Sequence, residues 1–276
     1  MKTILVPTDF SGCANNALSY AKGLATKLNS KIILHHSCHL PAFTMQVPFE
    51  KFSEEELLAE ARNSIKDYID NGKLKGSAID AEFNVSLGLA VDNIVALAEE
   101  KKADLIIMGT KGTSGIEEVL LGSNAATVME KAPCMVLTVP EDSKYGTIRK
   151  IAFATDYHEN DILAISIVAV IASKFNAELV IVHDSPISMT DALERDVFKK
   201  FEKELSEKIA YENISFKFLT GFNVATDLNA FLEDDKVDIL AMCSKKRSFF
   251  SKLFNPSLTK KMIYHTHVPV LAFHTK

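Results

Sequence analysis

The sequence predicts an α/β protein built of two tandem modules, each a five-stranded, mostly parallel sheet with helices on both faces. Three observations point there. Short runs rich in Ile, Val and Leu alternate with longer stretches of helical period. One series of sequence blocks occurs twice, in the same order. The chain has 276 residues, 47% of them apolar, enough to fill two ordinary cores.

The repeat fixes the organisation. KTILVPTDF (Lys2 to Phe10) returns as KIAFATDY (Lys150 to Tyr157), which sets Asp9 against Asp156 at an offset of 147. KLNSKIILHHS from Lys27 returns as KFNAELVIVHDS from Lys174, with His36 opposite His183. FNVSLG from Phe83 pairs with FKFLTG from Phe216, ADLIIMGTKG from Ala103 with VDILAMCSKK from Val237, and APCMVLTV from Ala132 with THVPVLAF from Thr266. Modules are expected over 1–142 and 148–276, a usual domain size, joined by the polar link EDSKYGT at Glu141 to Thr147.

Within the first module, strands are expected at 3–6, 31–37, 80–87, 104–108 and 135–139. CANNALSYAKGLATKLN spaces its apolar residues at three and four, as a helix does. FSEEELLAEARNSIKDYID opens with Ser53 and Glu56 as a capping box, and AVDNIVALAEEKK carries Asp92 near its start and lysines at its end. Buried strands alternating with such helices form a parallel sheet covered on both faces. Ligands of such sheets bind beyond the strand C-termini.

Met108 to Asn124, MGTKGTSGIEEVLLGSN, lies at such a place. Gly109 follows the strand DLIIM, and Gly122-Ser123 precedes SNAATVMEKAP, a helix with Ser123 expected at its N-cap. Glycines let backbone approach a ligand and adopt positive φ, and a helix start adds unpaired N–H groups and partial positive charge. Together these describe a phosphate cradle. The same residues also serve as ordinary strand and helix punctuation. Neither G-x-x-x-x-G-K-[ST] nor a G-x-G-x-x-G after the first strand occurs, which argues against P-loop hydrolysis and dinucleotide chemistry.

Bulk properties narrow the partners. Thirty-one Lys and Arg against 36 Asp and Glu leave a net charge of −5, with no general attraction to nucleic acid or an anionic membrane. MKTILVPTDFSG is too short in its apolar run for a secretory signal, and the apolar stretch from Ile162 to Ala172 is about half the length of a spanning helix. Cys13, Cys38, Cys134 and Cys243 show no paired spacing, as expected of reduced thiols in a cytoplasmic protein.

Gly109-x-x-Gly112, nine residues, then Gly122-Ser123, together with ILVPTDFS at the start and APCMVLTV at the end, resembles the nucleotide-binding signature of the universal stress protein family. The whole chain is similar to its tandem form. The resemblance implies an adenine nucleotide alpha hydrolase-like, Rossmann-like module that binds ATP or AMP, with or without Mg, and acts as a stress-linked regulator. It also implies that modules pair through their last strands. Here MVLTV and PVLAF are expected to pair within the chain as a pseudo-dimer, and a further homodimer stays open.

Carried over by position, the resemblance places Pro7, Thr8 and Asp9 at the first strand end, with Asp9 against the adenosine. Ser37 takes the position whose backbone contacts adenine, often Val in the family. Met108 flanks the adenosine, Gly109, Lys111 and Gly112 wrap the phosphates, and Gly122, Ser123, Asn124 and Ala125 complete the cradle. Plainer roles stay open beside these: Asp9 as an N-cap, Met108 as core, Lys111 as a solvated cation.

The second copy departs from this pattern. Gly109, Gly112 and Gly122 correspond to Cys243, Lys246 and Pro256, whereas Ser123 is kept as Ser257 and Asp9 as Asp156. A side chain and a proline at these places remove space and a donor, so the second site is expected to be degenerate. Its SKKRSFFSK (Ser244 to Lys252) is a solvated basic loop or a site for another anion. In HHSCH, His35 and His39 share one strand face and His36 and Cys38 the other, which disfavours a four-ligand metal site; a zinc site completed by His183, His265 or His267 stays open. No nucleophile–base set can be assembled, and Cys13 has no partner base in the sequence.

The reading is therefore a cytoplasmic regulator whose first module binds an adenine nucleotide and whose contacts with an unidentified protein respond to it. A slow ATP hydrolase, or a carrier of a metal or lipophilic ligand in the second module, are the alternatives.

Overall fold

The computed structural model describes residues 1–38, 53–70, 79–112, 122–157, 159–186, 191–221, 223–244 and 266–274. The chain divides into two compact units, Met1–Tyr145 and Gly146–Lys276.

The first unit runs β1 (Thr3–Pro7), α1 (Gly12–Leu28), β2 (Lys31–Cys38), α2 (Glu54–Tyr68), β3 (Ala81–Leu87), α3 (Ala90–Glu100), β4 (Leu105–Gly109), α4 (Ser123–Lys131) and β5 (Met135–Val139). Its strand order is β3-β2-β1-β4-β5 and the pairs are parallel. β1 pairs with β2 on one side and β4 on the other, so the order reverses there and a crevice opens beyond the ends of β1 and β4. Ile4, Leu5 and Val6 of β1 and Ile106 and Ile107 of β4 are fully buried, because helices cover both faces of a parallel sheet.

The second unit repeats the plan with β6 (Lys150–Ala154), α5 (Glu159–Phe175), β7 (Glu178–Pro186), α6 (Asp191–Lys208), β8 (Ile214–Gly221), α7 (Val224–Asp234), β9 (Ile239–Ser244) and β10 (Val270–His274). Its own order, β8-β7-β6-β9-β10, is the same and again parallel. The α/β fold class and the two tandem modules are as the sequence predicts.

The repetition reaches individual hydrogen bonds. The Asp104 carboxylate accepts the Lys2 and Thr3 N–H groups at 2.6 and 3.0 Å, and Asp238 accepts those of Arg149 and Lys150 at 2.6 and 2.9 Å. Each satisfies the N–H groups of a strand that begins beside it. Asn29 and Asn176 both turn the chain with positive φ, 52° and 56°, after the first helix of their units.

The caps agree in part with expectation. Ser53 Oγ accepts the Glu56 N–H at 3.1 Å and the Glu56 carboxylate accepts the Ser53 N–H at 3.0 Å, the reciprocal capping box expected for α2. At α4 the N-cap is Gly122, extended at φ −67° and ψ 155°, and Ser123 is the first helical residue with no side-chain cap bond. The expected Ser123 cap is thus displaced by one residue. Gly122 fits there because it must pass close to Thr110, whose carbonyl oxygen a Cβ would approach to 3.2 Å.

Candidate functional site

The turn from β1 into α1 forms one wall. Phe10 adopts φ 64°, a conformation a bulky side chain rarely takes, and the turn is held by Thr8 Oγ1 accepting the Phe10 N–H at 3.0 Å. Tyr157 repeats it at φ 62° with Thr155 Oγ1, so this strained turn belongs to the fold and not to one site. Ser11 is the N-cap of α1, its Oγ accepting the Ala14 N–H at 3.2 Å. The N-cap alternative for Asp9 therefore falls. Asp9 Oδ1 accepts the Ser11 N–H at 3.1 Å, and its Oδ2 lies against Gly112.

β2 supplies the next wall. His36 Nδ1 lies 2.8 Å from the Thr8 carbonyl oxygen, and its ring packs on Phe10 at 4.6 Å between centroids. Tyr68 of α2 packs edge-on against Phe10 at 5.3 Å. His35, on the other face, is buried and engaged at both ring nitrogens, Nδ1 with Asn84 Oδ1 at 3.0 Å and Nε2 with Ser37 Oγ at 2.9 Å. Burial lowers its pKa, against the opposing pull of the Asn84 hydrogen bond, so the ring is neutral at pH 7. That occupancy removes His35 from the zinc alternative. Among the described residues no three His, Cys, Asp or Glu side chains converge as metal ligands; His39 and His265 lie outside those residues.

β4 and the start of α4 close the far side. None of Gly109, Gly112 and Gly122 has a left-handed φ, contrary to the expectation that the cradle needs it. Close approach explains all three. A Cβ on Gly109 would stand 2.7 Å from Cys13 Sγ and 3.0 Å from the Cys13 carbonyl carbon, so this glycine lets α1 pack on β4. Cys13 is itself buried, its Sγ 3.4 Å from the Val139 carbonyl oxygen. A Cβ on Gly112 would stand 2.8 Å from Asp9 Oδ2. The Gly122 N–H donates to the Thr110 carbonyl at 2.6 Å, so the groups free of intrahelical bonds are the N–H groups of Ser123, Asn124 and Ala125.

These walls enclose a cavity of about 840 Å³. Pro7, Thr8, Asp9, Ser37, Met108, Gly109, Lys111, Gly112, Gly122, Ser123, Asn124 and Ala125 all line it. Residues 113–121, between the last two glycines, lie outside the described residues. Sequence reasoning missed the contributions of Phe10, His36 and α2, the last through Leu57, Glu60 and Ser64. Their only sequence signal is the apolar-to-polar change at the end of KIILHHS. It also missed Ala90 and Ile94 of α3, which read as a helix face and gave no hint of a cavity.

The turn from β6 into α5 in the second unit gathers rings of its own, as Phe10 does with His36 and Tyr68 in the first. Tyr157 stacks on His183 at 4.0 Å, with Phe201 at 5.6 Å and Phe198 at 6.0 Å, and His183 Nδ1 keeps the 2.8 Å contact with the Thr155 carbonyl. Arg195 lies over Phe218 at 4.6 Å. Cys243 is buried at the end of β9; Lys246, Pro256, Ser257 and the basic stretch after Ser244 lie outside the described residues. No described helix is long and apolar enough to cross a membrane.

Comparison with known proteins agrees with this architecture. The model of the universal stress protein family matches residues 1–140 and again 147–274. Universal stress protein MJ0531 of Methanocaldococcus jannaschii is 33% identical over 146 residues, 52% of this chain and 84% of its own length. YxiE of Bacillus subtilis is 30% identical over 143 residues, 49% of this chain and 97% of its own. Each of these relatives thus has the length of one module. A universal stress protein from Archaeoglobus fulgidus superposes over 99% of this chain and 96% of its own with a TM-score of 0.75 at 19% identity, which shows the shared tandem fold. With both halves matched by the same family model, the chain belongs to the universal stress protein family and has its tandem two-domain form.

Proposed function

We propose that the first unit binds ATP or AMP, with or without Mg, and that the chain is a cytoplasmic, nucleotide-responsive stress regulator acting through a protein partner. One observation carries this reading. Twelve residues from four separated segments, singled out by motif, come together on one cavity at the point where the strand order reverses. The volume suits a nucleotide, and the cradle is one that added Cβ atoms on Gly112 and Gly122 would narrow. All four cysteines are free, as suits a reducing compartment.

In this reading the N–H groups of Ser123, Asn124 and Ala125 donate to phosphate oxygens with the positive end of the α4 dipole behind them. Lys111 adds a charge beside them. Asp9, fixed by the Ser11 N–H, accepts from a sugar hydroxyl, and Met108 packs against the nucleoside. The nucleotide, when bound, supplies a polyanion and an aromatic base that together tie β1, β2, β4 and α4. The second unit, with Tyr157 and its neighbouring rings in place, serves as a structural or regulatory partner.

Mass spectrometry of small molecules released from protein purified without added nucleotide tests the reading. Adenosine phosphates support it. A lipid or zinc in their place would favour the carrier alternative, and steady phosphate release from added ATP would favour the hydrolase.

A further inference from the structure

Ser37, His35, Asn84 and Asn93 form a chain of hydrogen bonds that ends at the cavity. β2 and β3 pair with His35 opposite Asn84 and Ser37 opposite Ser86, so these four side chains share one face of the sheet, beneath α3. Asn84 Oδ1 accepts the Ser86 hydroxyl at 3.1 Å and faces His35 Nδ1 at 3.0 Å. An amide oxygen only accepts, so Nδ1 carries the proton. In the neutral ring Nε2 is then an acceptor, and the Ser37 hydroxyl 2.9 Å away donates to it. Asn93 Nδ2 donates to Ser37 Oγ at 3.3 Å. The Ser37 proton is committed inward, and what the oxygen has left is a lone pair.

The position of Ser37 says which part of a ligand would meet that lone pair. β1 lies between β2 and β4, so Ser37 stands two strand spacings, roughly 10 Å, from Gly109 and the phosphate cradle. It faces the opposite end of the ligand, the base.

The second unit is an internal control. The contact between His36 and Thr8 recurs as His183 with Thr155, as a part of the fold should. None of the relay recurs. By strand register His35, Ser37, Asn84 and Ser86 correspond to Val182, Asp184, Lys217 and Leu219. Asn93 corresponds to Asp227 at the repeat offset of 134 that relates Gly109 to Cys243. The relay is present in the first unit, with its cavity, and replaced throughout in the second.

We propose that Ser37 selects the base: the Asn84–His35 relay holds its oxygen as a hydrogen-bond acceptor toward the cavity, favouring purines with an exocyclic 6-amino group over 6-oxo purines. This rests on the nucleotide reading above and deepens it. A 6-amino group donates to the waiting lone pair. A 6-oxo group sets one acceptor against another, and a hydroxyl whose proton is already committed cannot turn to meet it without breaking the bond to His35.

The test compares affinities of the full chain for ATP and ITP by calorimetry, in wild type and Ser37→Ala, with thermal unfolding of both as a folding control. Wild type is expected to prefer ATP by about tenfold or more, and Ser37→Ala to bring the two within about threefold, mainly by weakening ATP. An unchanged preference in a folded Ser37→Ala overturns the inference and leaves nucleotide binding standing. Binding of neither nucleotide by wild type overturns both readings. Independently of any ligand or variant, ¹⁵N NMR of the His35 ring should show the neutral tautomer protonated at Nδ1; a proton on Nε2 would overturn the relay.

Discussion

A Cβ built on Gly112 stands 2.8 Å from Oδ2 of Asp9, whereas one built on Gly109 stands 3.0 Å from the main chain of Cys13. The two glycines of one motif thus answer to different neighbours. The side chain of Asp9 can give way, and the backbone of α1 cannot. Gly112→Ala is expected to displace the Asp9 carboxylate and weaken ATP binding by about tenfold with little change in Tm. Gly112→Lys separates charge from shape, since charge alone predicts tighter binding and the contact with Asp9 predicts weaker. Calorimetry on both variants, with thermal unfolding as the control, decides.

Gly109→Ala is expected to destabilise the first unit by about 1–3 kcal/mol, the usual cost of overpacking. The companion Cys13→Ala opens room beside Sγ, yet leaves the carbonyl carbon of residue 13 at 3.0 Å, so it should rescue only part of the loss. Denaturant unfolding of the two single variants and the double variant measures the coupling.

Binding should saturate at a single nucleotide per chain. Cys243, Lys246 and Pro256 stand in the second copy where the first has its three glycines, so the backbone approach and one N–H donor are lost there. Two equivalent sites in an ATP titration would contradict this reading.

Asp184, which takes the place of Ser37, carries two buried carboxylate oxygens with no hydrogen-bond partner among the described residues. Burial first, and then repulsion from Asp227, push its pKa up to about 6. A carboxyl raised on folding favours the folded state below its unfolded pKa, and that contribution is lost as pH rises through about 6. Asp184→Asn should therefore raise Tm above wild type at about pH 7.5, with the gap closing toward pH 4. A pH-independent difference would point to another cause.

β5 ends the strand order of the first unit with Val136, Leu137 and Val139, and an apolar edge of this kind recruits a partner. Residues 1–142 expressed alone are expected to dimerise. Light scattering showing a strict monomer at high concentration would argue against pairing through β5.

Local order accounts for what the sequence determined by itself. The strands and helices, the Ser53–Glu56 capping box and the twofold repeat depend on neighbours a few residues apart or on matching blocks, and these are legible in a linear string. The twelve motif residues could be named because the glycine motif and the strand-end blocks resemble a family signature that is itself a linear pattern. Only the tertiary structure decided why those residues are what they are. Gly109 answers to Cys13, 96 residues earlier, and Gly112 to Asp9, 103 earlier, without the positive φ that local reasoning assigned them. The polarity of Ser37 depends on Asn84 across a strand pair, and the ring cluster of the second unit on Phe201 of α6 meeting Tyr157 and Phe218 of β8 meeting His183. Register and helix docking bring such groups together, and the energies of contact act through space rather than along the chain.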